Sequence, residues 1–270
     1  MKRSNAMTRS TPNANEPGQP LVASGSHDSW SKNFAAPKVA LSIGAHPDDV
    51  EFGSGGTLAK WAKAGTVVHH LVMTDGSKGT WDVNANVDEL VTKRQHEQRD
   101  AAARLGATGS VNFLSYIDGE LRYTDEAVEK VARVIRELQP NVVLTHDPWK
   151  RYRLHPDHRN TGFIVCDAIV AARDPHFLKH HMNDGLTHHR PDALLLWEAD
   201  EPNHVEDVSE VLDTKLAALE AHVSQFESTM KAVDESSLVE FRARMTTRMA
   251  DLGAPHNFEA AEIFHLITHL

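Results

Sequence analysis

Val39-Ala40-Leu41-Ser42-Ile43 leads into Ala45-His46-Pro47-Asp48-Asp49-Val50-Glu51, and that into Phe52-Gly53-Ser54-Gly55-Gly56-Thr57. The apolar run reads as a short buried strand, followed by a polar turn. A helix is expected from about Gly56 to Lys63, with Leu58 and Trp61 spaced for one face and Gly65 as its stop. The same alternation recurs downstream. Strands are expected at Thr66 to Met73, Val111 to Leu114, Asn141 to Thr145 and Asp192 to Trp197. Helices are expected at about 87–105, 125–138, 158–172 and 208–221. Residues 74–87 read as a polar loop and 174–190 as irregular and His-rich, while 228–262 carries competing signals and no assignment. Strands alternating with helices at this spacing imply βαβ units. The expected fold is therefore α/β, a Rossmann-like and mainly parallel sheet flanked by helices, with its active site at the C-terminal edge of the strands.

Residues 1–36 are rich in Ser, Asn and Pro and lack apolar periodicity. They read as a flexible arm, and Ser4-Asn5-Ala6 before Met7 as a tag remnant. Residues 37–270 read as a single domain. No apolar run approaches the 18 residues of a membrane span, and a soluble cytoplasmic protein is the simplest expectation. The 38 acidic residues outnumber 28 basic ones, which argues against nonspecific nucleic-acid binding. The single cysteine, Cys166, excludes an internal disulfide and a multi-Cys zinc site, and reads as a small buried hydrophobe. Any bound metal must use His, Asp or Glu, and the chain has 18 His.

His46, Asp48, Asp49 and Glu51 emerge where the first strand ends. A His three residues before an Asp, with Pro stiffening the turn, can aim two ligands at one point and leave Asp48 free to take a proton from water. An Asx-turn or a helix N-cap would use the same carboxylates without a metal, and the short motif alone does not separate the two readings. A second loop tips the balance. The strand at 141–145 runs into His146-Asp147-Pro148-Trp149, then Tyr152, then His155-Pro156-Asp157-His158. One of its imidazoles can complete a His-Asp-His site with a position left open for water. The other can act on the substrate.

His46-Pro47-Asp48-Asp49-Val50-Glu51 with Gly55-Gly56-Thr57, paired with His155-Pro156-Asp157-His158, resembles the PIG-L or LmbE-like family of N-deacetylases. The resemblance extends to Thr74-Asp75-Gly76, Arg94 with Glu97, Ala101, Leu105-Gly106, and Lys215 through His222-Val223-Ser224-Gln225, so it spans roughly residues 38–226. It implies a zinc-dependent deacetylase of N-acetylglucosaminyl compounds. It implies His46, Asp49 and His158 as metal ligands and Asp48 as general base. It implies His155 as the oxyanion-stabilising imidazole, kept charged and oriented by Asp157. Arg94 matches a substrate-contacting position, and Tyr152 is a further candidate contact. The stretch Trp149-Lys150-Arg151-Tyr152-Arg153-Leu154 is bulkier and more basic than the family's second loop, which leaves the substrate open.

The expected reaction is hydrolysis of an acetamide on a small N-acetylated molecule by metal-activated water. An esterase on the same site is the near alternative. A noncatalytic sugar- or nucleotide-binding module is the distant one, since it would need neither Asp48 nor His155. N/O ligands accept Fe2+ or Co2+ as well as Zn2+. The oligomeric state is open, and a homo-oligomer is compatible with everything above. Gly53-Ser54-Gly55-Gly56 fails dinucleotide-loop spacing and more simply lets a helix pack close to the sheet. His180, His181, His188 and His189 read as a solvated loop before a second metal site, His222 as a helix-end hydrogen bond, and Lys150, Arg151 and Arg153 equally as an anion site or a solvated run.

Overall fold

The computed structural model describes residues 29–270. The proposed tag remnant and most of the expected arm lie outside the described residues. One sheet contains β1 (Ser31–Lys32), β2 (Val39–Gly44), β3 (Val67–Thr74), β4 (Val111–Tyr116), β5 (Val142–His146), β6 (Ala193–Trp197), β7 (His204–Asp207) and β8 (Ala261–Ile267), in the order β1-β7-β8-β6-β5-β2-β3-β4. β4, β3, β2, β5 and β6 run parallel, as the alternation of elements predicts. β8 inserts antiparallel between β6 and β7, and it supplies a strand from a stretch that carries no sequence assignment. β1 corrects the boundary of the expected arm, because Ser31 and Lys32 pair with His204 and Val205.

The helices are α1 (Asp49–Lys63), α2 (Val87–Arg104), α3 (Asp125–Leu138), α4 (Pro156–Arg173), α5 (Lys179–Asn183), α6 (Leu212–Leu219) and α7 (Glu235–Gly253). Side chains of β2 alternate between two apolar layers. Ala40 belongs to the layer that holds Leu58, Trp61, Leu216 and Phe241, whereas Leu41 and Ile43 belong to the layer of Val131, Ile135 and Ile164. A strand buried on both faces reads as a continuous apolar run, and each large side chain so buried stabilises the fold by about 1.5–3 kcal/mol. Cys166 is half-buried beside the second layer, and burial pushes its thiol up to about 12.

α1 begins at Asp49 rather than near Gly56. Intrinsic propensity disfavours helix through Gly53, Gly55 and Gly56, but packing overrides it. A Cβ on Gly53 would sit 2.5 Å from the Trp197 ring, and one on Gly56 would sit 2.9 Å from Val208. The glycines thus let the helix lie against the sheet, as their spacing suggested. Among the described residues no helix is long and apolar enough to cross a membrane.

The chain leaves β2 towards β3, while β5 lies on the opposite side of β2. The crevice between the carboxyl ends of β2 and β5 is therefore the topological switch point of the sheet, where open α/β sheets bind ligands. The two His-containing loops flank it.

Candidate active site

Asp48 turns the chain from β2 into α1 with φ of 105°. Non-glycine residues rarely adopt left-handed backbone, and Asp and Asn do so most readily. Several bonds hold the turn. The Asp48 N–H donates to Gln98 Oε1 (3.0 Å), the His46 N–H to Asp49 Oδ2 (2.7 Å), and Arg94 Nη2 to the Pro47 carbonyl (2.6 Å). The Asp48 side chain makes no helix-capping bond, so the metal-free reading of this residue is not realised.

The second loop returns from β5 and enters α4 with His155 as its N-cap residue and Pro156 in the first turn. His158 Nε2 comes within 3.1 Å of His46 Nδ1 and 3.4 Å of Asp49 Oδ1, and His46 Nδ1 lies 3.3 Å from Asp49 Oδ2. Donor atoms bound at 2.0–2.1 Å around a tetrahedral ion are separated by about 3.3 Å. These three side chains therefore fit a divalent ion. The remaining nitrogen of His46 fits as well. Its Nε2 faces Asp157 Oδ2 and Asp118 Oδ1, each at 3.2 Å, which places the proton on Nε2 and leaves Nδ1 for the ligand point.

The charges of the cluster are set by burial and by the close packing of acids and imidazoles. Burial alone would lower the pKa of His46, but Asp118, Asp157 and Asp49 hold it well above 6.5. Burial would raise Asp49, but His158, His146 and His46 hold it well below 3.8. His158 is pushed down to about 2 by burial, with Asp49 pulling the other way and His146, His46 and Arg153 adding to the fall. Burial is the main cause that lifts Asp48 to about 6, against the opposing charge of Arg94.

A second grouping, Asp49, His146 and His158, also converges. His146 Nδ1 receives N–H donors from Trp197 Nε1 (3.0 Å) and Arg153 (3.2 Å), and neither donor can accept. Its Nε2 lies 3.2 Å from Asp49 Oδ2 and 3.4 Å from the Ala45 N–H. His146 thus packs against Asp49 beside the same convergence point.

Three expected contacts differ from the sequence reading. Asp157 does not hold His155: its oxygens take His46 Nε2 and the N–H groups of Gly119 (2.6 Å) and Leu121 (3.2 Å). His155 is exposed and stacks on His158 with ring centres 4.8 Å apart, and burial and His46 move its pKa down rather than up. Arg94 is 3% exposed, with Nη1 on the Gly76 carbonyl (2.8 Å) and Nη2 on Pro47, so it braces the turn from behind. Tyr152 stands 91% exposed on the outer rim, away from the ligand point.

A cavity of about 220 Å3 opens over Asp48, Asp49, His146 and His158 and is bordered by Arg153, Glu198 and Arg248. A larger hollow of about 690 Å3 along α2 holds none of the converging residues. Sequence reasoning missed Gln98, Asp118, Glu198 and Arg248 here, because each is a single polar residue with no motif around it, and it quoted His146 in the second loop without giving it a role. His222 is not at a helix-end hydrogen bond but buried against Glu51, at 3.1 Å. Of the later histidines, His180 and His181 gather at Glu129, whereas His189 bonds the Pro140 carbonyl.

Residues 41–169 match the sequence profile of PIG-L, described as GlcNAc-PI de-N-acetylase. Diacetylchitobiose deacetylase of Thermococcus kodakarensis is 39% identical over 70% of this chain and 70% of its own length. A probable N-acetyl-alpha-D-glucosaminyl L-malate deacetylase 2 of Bacillus cereus is 30% identical over 71% of this chain and 85% of its own. The structure of N,N'-diacetylchitobiose deacetylase from Pyrococcus horikoshii, complexed with its inhibitor MPG, superposes with a TM-score of 0.78 at 30% identity, covering 86% of this chain and 84% of that one. The 4-carboxy-2-hydroxymuconate hydratase GalB from Pseudomonas putida shares the fold alone, at a TM-score of 0.69 and 22% identity. Fold and site together define an α/β enzyme of the deacetylase class. Within that class the chain belongs to the PIG-L family.

Proposed function

We propose that this chain removes the acetyl group from the amide nitrogen of an N-acetylglucosamine-type small molecule, with zinc, or alternatively Fe2+ or Co2+, held by His46, Asp49 and His158. The observation that carries this reading is the convergence of those three side chains at 3.1–3.4 Å beside Asp48, whose carboxylate makes no helix-capping bond and faces Arg94 at 3.7 Å. The printed activities of the deacetylase relatives support the substrate class. When bound there, the ion would polarise the amide carbonyl and lower the pKa of a water to about 7.

The protein's own residues supply the rest. Asp48, raised to about 6 chiefly by burial, is ionised at neutral pH yet basic enough to take the proton of the attacking water. Once protonated, it hands that proton to the leaving amine. His155, held below its ordinary pKa by burial, donates as a neutral N–H to the developing oxyanion, so no imidazolium is required. Asp157 acts one residue further back: it fixes the ring of His46. The test is direct. Full-length protein is assayed for acetate released from N,N'-diacetylchitobiose and N-acetylglucosamine, with metal content measured on the same sample. Acetate release with about one ion per chain is expected. A fully metallated protein that releases no acetate from any N-acetylated sugar overturns the reading.

A further inference from the structure

A serine hydroxyl is a weak nucleophile until a base within hydrogen-bond reach takes its proton and a third group orients that base. That arrangement occurs at the far edge of the sheet, outside the candidate active site. Ser31 is exposed on β1, and its Oγ lies 2.7 Å from His204 Nδ1. His204 Nε2 lies 2.9 Å from Oε1 of Glu206, two residues further along β7. The buried Glu206 carboxylate also accepts from the Phe34 N–H (2.7 Å) and from Lys60 Nζ. A carboxylate can only accept from the imidazole, so Nε2 carries the proton of the neutral ring and Nδ1 accepts from the Ser31 hydroxyl. The other acceptor near Oγ, the Asn203 carbonyl, is farther away at 3.4 Å.

We propose that Ser31, His204 and Glu206 form a second reactive centre, an activated serine that takes the acyl group of a carboxylic ester. It stands apart from the deacetylase reading: β7, β8 and β6 separate β1 from β5, roughly 20 Å at about 4.8 Å per strand. In the step, Oγ bonds to the acyl carbon and the ester C–O bond breaks. His204 Nδ1 takes the Oγ proton and returns it to the leaving alcohol. Water then attacks the acyl-serine with the same base, giving a carboxylic acid and free Ser31.

The surroundings suit that role. His204 is buried, and the rings of Phe34 and Phe264 each lie with centres 6.4 Å from its own, so the base is held in place. β1 is the last strand of the sheet, and the N–H groups of Ser31 and Asn33 donate to the Asn203 and Val205 carbonyls of the β7 side. The intervening Lys32 N–H therefore points away from β7, towards the open edge. It follows the nucleophile directly in the chain, the position from which a backbone N–H can serve the oxyanion of acyl transfer. A hollow of about 290 Å3 begins at Asn33 and is bordered by Lys60, Lys63 and Val211, with room for a short acyl ester. Fastening β1 to β7 already falls to the backbone, and needs neither an imidazole nor a buried acid behind it.

The test uses a fluorophosphonate probe on the full-length protein, with the labelled peptide located by mass spectrometry. The Oγ–P bond forms, the P–F bond breaks, fluoride leaves and His204 takes the Oγ proton. Ser236 is the internal control, since its Oγ also meets a carboxylate, Asp234 Oδ1 at 3.0 Å, and bonds no imidazole among the described residues. Ser31 is expected to label about 10²-fold faster than Ser236 or more, the scale of one general base. The label is expected to vanish in Ser31→Ala and in urea, to fall at least about tenfold in His204→Gln, and to persist in chelator-stripped protein and in His158→Ala. Chelator-stripped wild type should also give a burst of about one nitrophenolate per chain from 4-nitrophenyl acetate, which Ser31→Ala lacks. No label at Ser31, a rate no greater than at Ser236, or full labelling in a folded His204→Gln overturns the second centre. If His204→Gln does not fold, the ratio of Ser31 to Ser236 in the wild type still decides. A labelled Ser31 in a protein that releases no acetate from N-acetylated sugars removes the deacetylase reading alone, and acetate release with Ser31 inert removes this centre alone.

Discussion

Asp48 concentrates the chemistry in one residue. Its left-handed backbone, at φ of 105°, stores about 1–3 kcal/mol of strain that only surrounding bonds can hold. Asn tolerates the same backbone and has the same shape, but it cannot accept the water's proton. Asp48→Asn is therefore expected to keep its metal and lose about 10²–10⁴-fold in kcat, read by steady-state kinetics beside metal analysis. Near-normal turnover would reduce Asp48 to a structural role. The pH profile gives a second check. Asp48 works ionised, so activity must fall as pH drops through its pKa. Burial raises that pKa to about 6, and a bound cation pulls it lower, so the acid limb belongs at or below about 6. Arg94 opposes protonation of Asp48. Arg94→Gln should move the acid limb of kcat/KM to higher pH, and an unmoved limb assigns the proton to another group.

At the scale of elements, α1 is clamped by a buried ion pair. Lys215 Nζ from α6 donates to the carbonyls of Glu51 and Phe52, both at 2.9 Å, and to Glu262 Oε1 at 2.6 Å. Glu262 from β8 accepts from the N–H groups of Gly56 and Thr57, both at 2.8 Å. Removing one partner of a buried pair strands the other charge. Lys215→Met is expected to destabilise the fold by about 3–5 kcal/mol, measured as a drop in denaturant midpoint. Gly53→Ala acts by overpacking against Trp197 and should cost about 1–3 kcal/mol in the same experiment. The clamp explains why α1 starts seven residues before the expected Gly56. The glycine-rich turn supplies no local reason to be helical, and its reasons lie in Trp197, Lys215 and Glu262, all far along the chain.

On the proposed ligand set, ion binding would be coupled to folding at the scale of the whole molecule, because His46, Asp49 and His158 lie on loops after β2 and β5 that meet only in the folded sheet. An ion that binds the native state alone stabilises it by about 2.7 kcal/mol at a free concentration one hundred times Kd. Added zinc should raise the Tm of chelator-treated protein accordingly, and His158→Ala should abolish most of that rise. A Tm indifferent to zinc in the wild type would place the ion elsewhere or nowhere.

Strand-helix alternation, the parallel core of the sheet and both histidine motifs were legible in the sequence, because each is local: periodicity, turn residues and closely spaced polar groups declare themselves within a few positions. His46 and Asp49 could be singled out for the same reason, whereas the choice of His158 over His155 came only from the resemblance to the PIG-L family. What each side chain bonds to was decided by tertiary structure. Asp157 turned out to serve His46 instead of His155, Arg94 to brace the Pro47 turn instead of facing the cavity, and Asp118 and Gln98 to join the site without any motif. β8 likewise found its place between β6 and β7 only through long-range pairing. A proton's position on an imidazole, or a carboxylate's choice between two donors, depends on angstrom-scale distances between elements dozens of residues apart, and no local pattern records them.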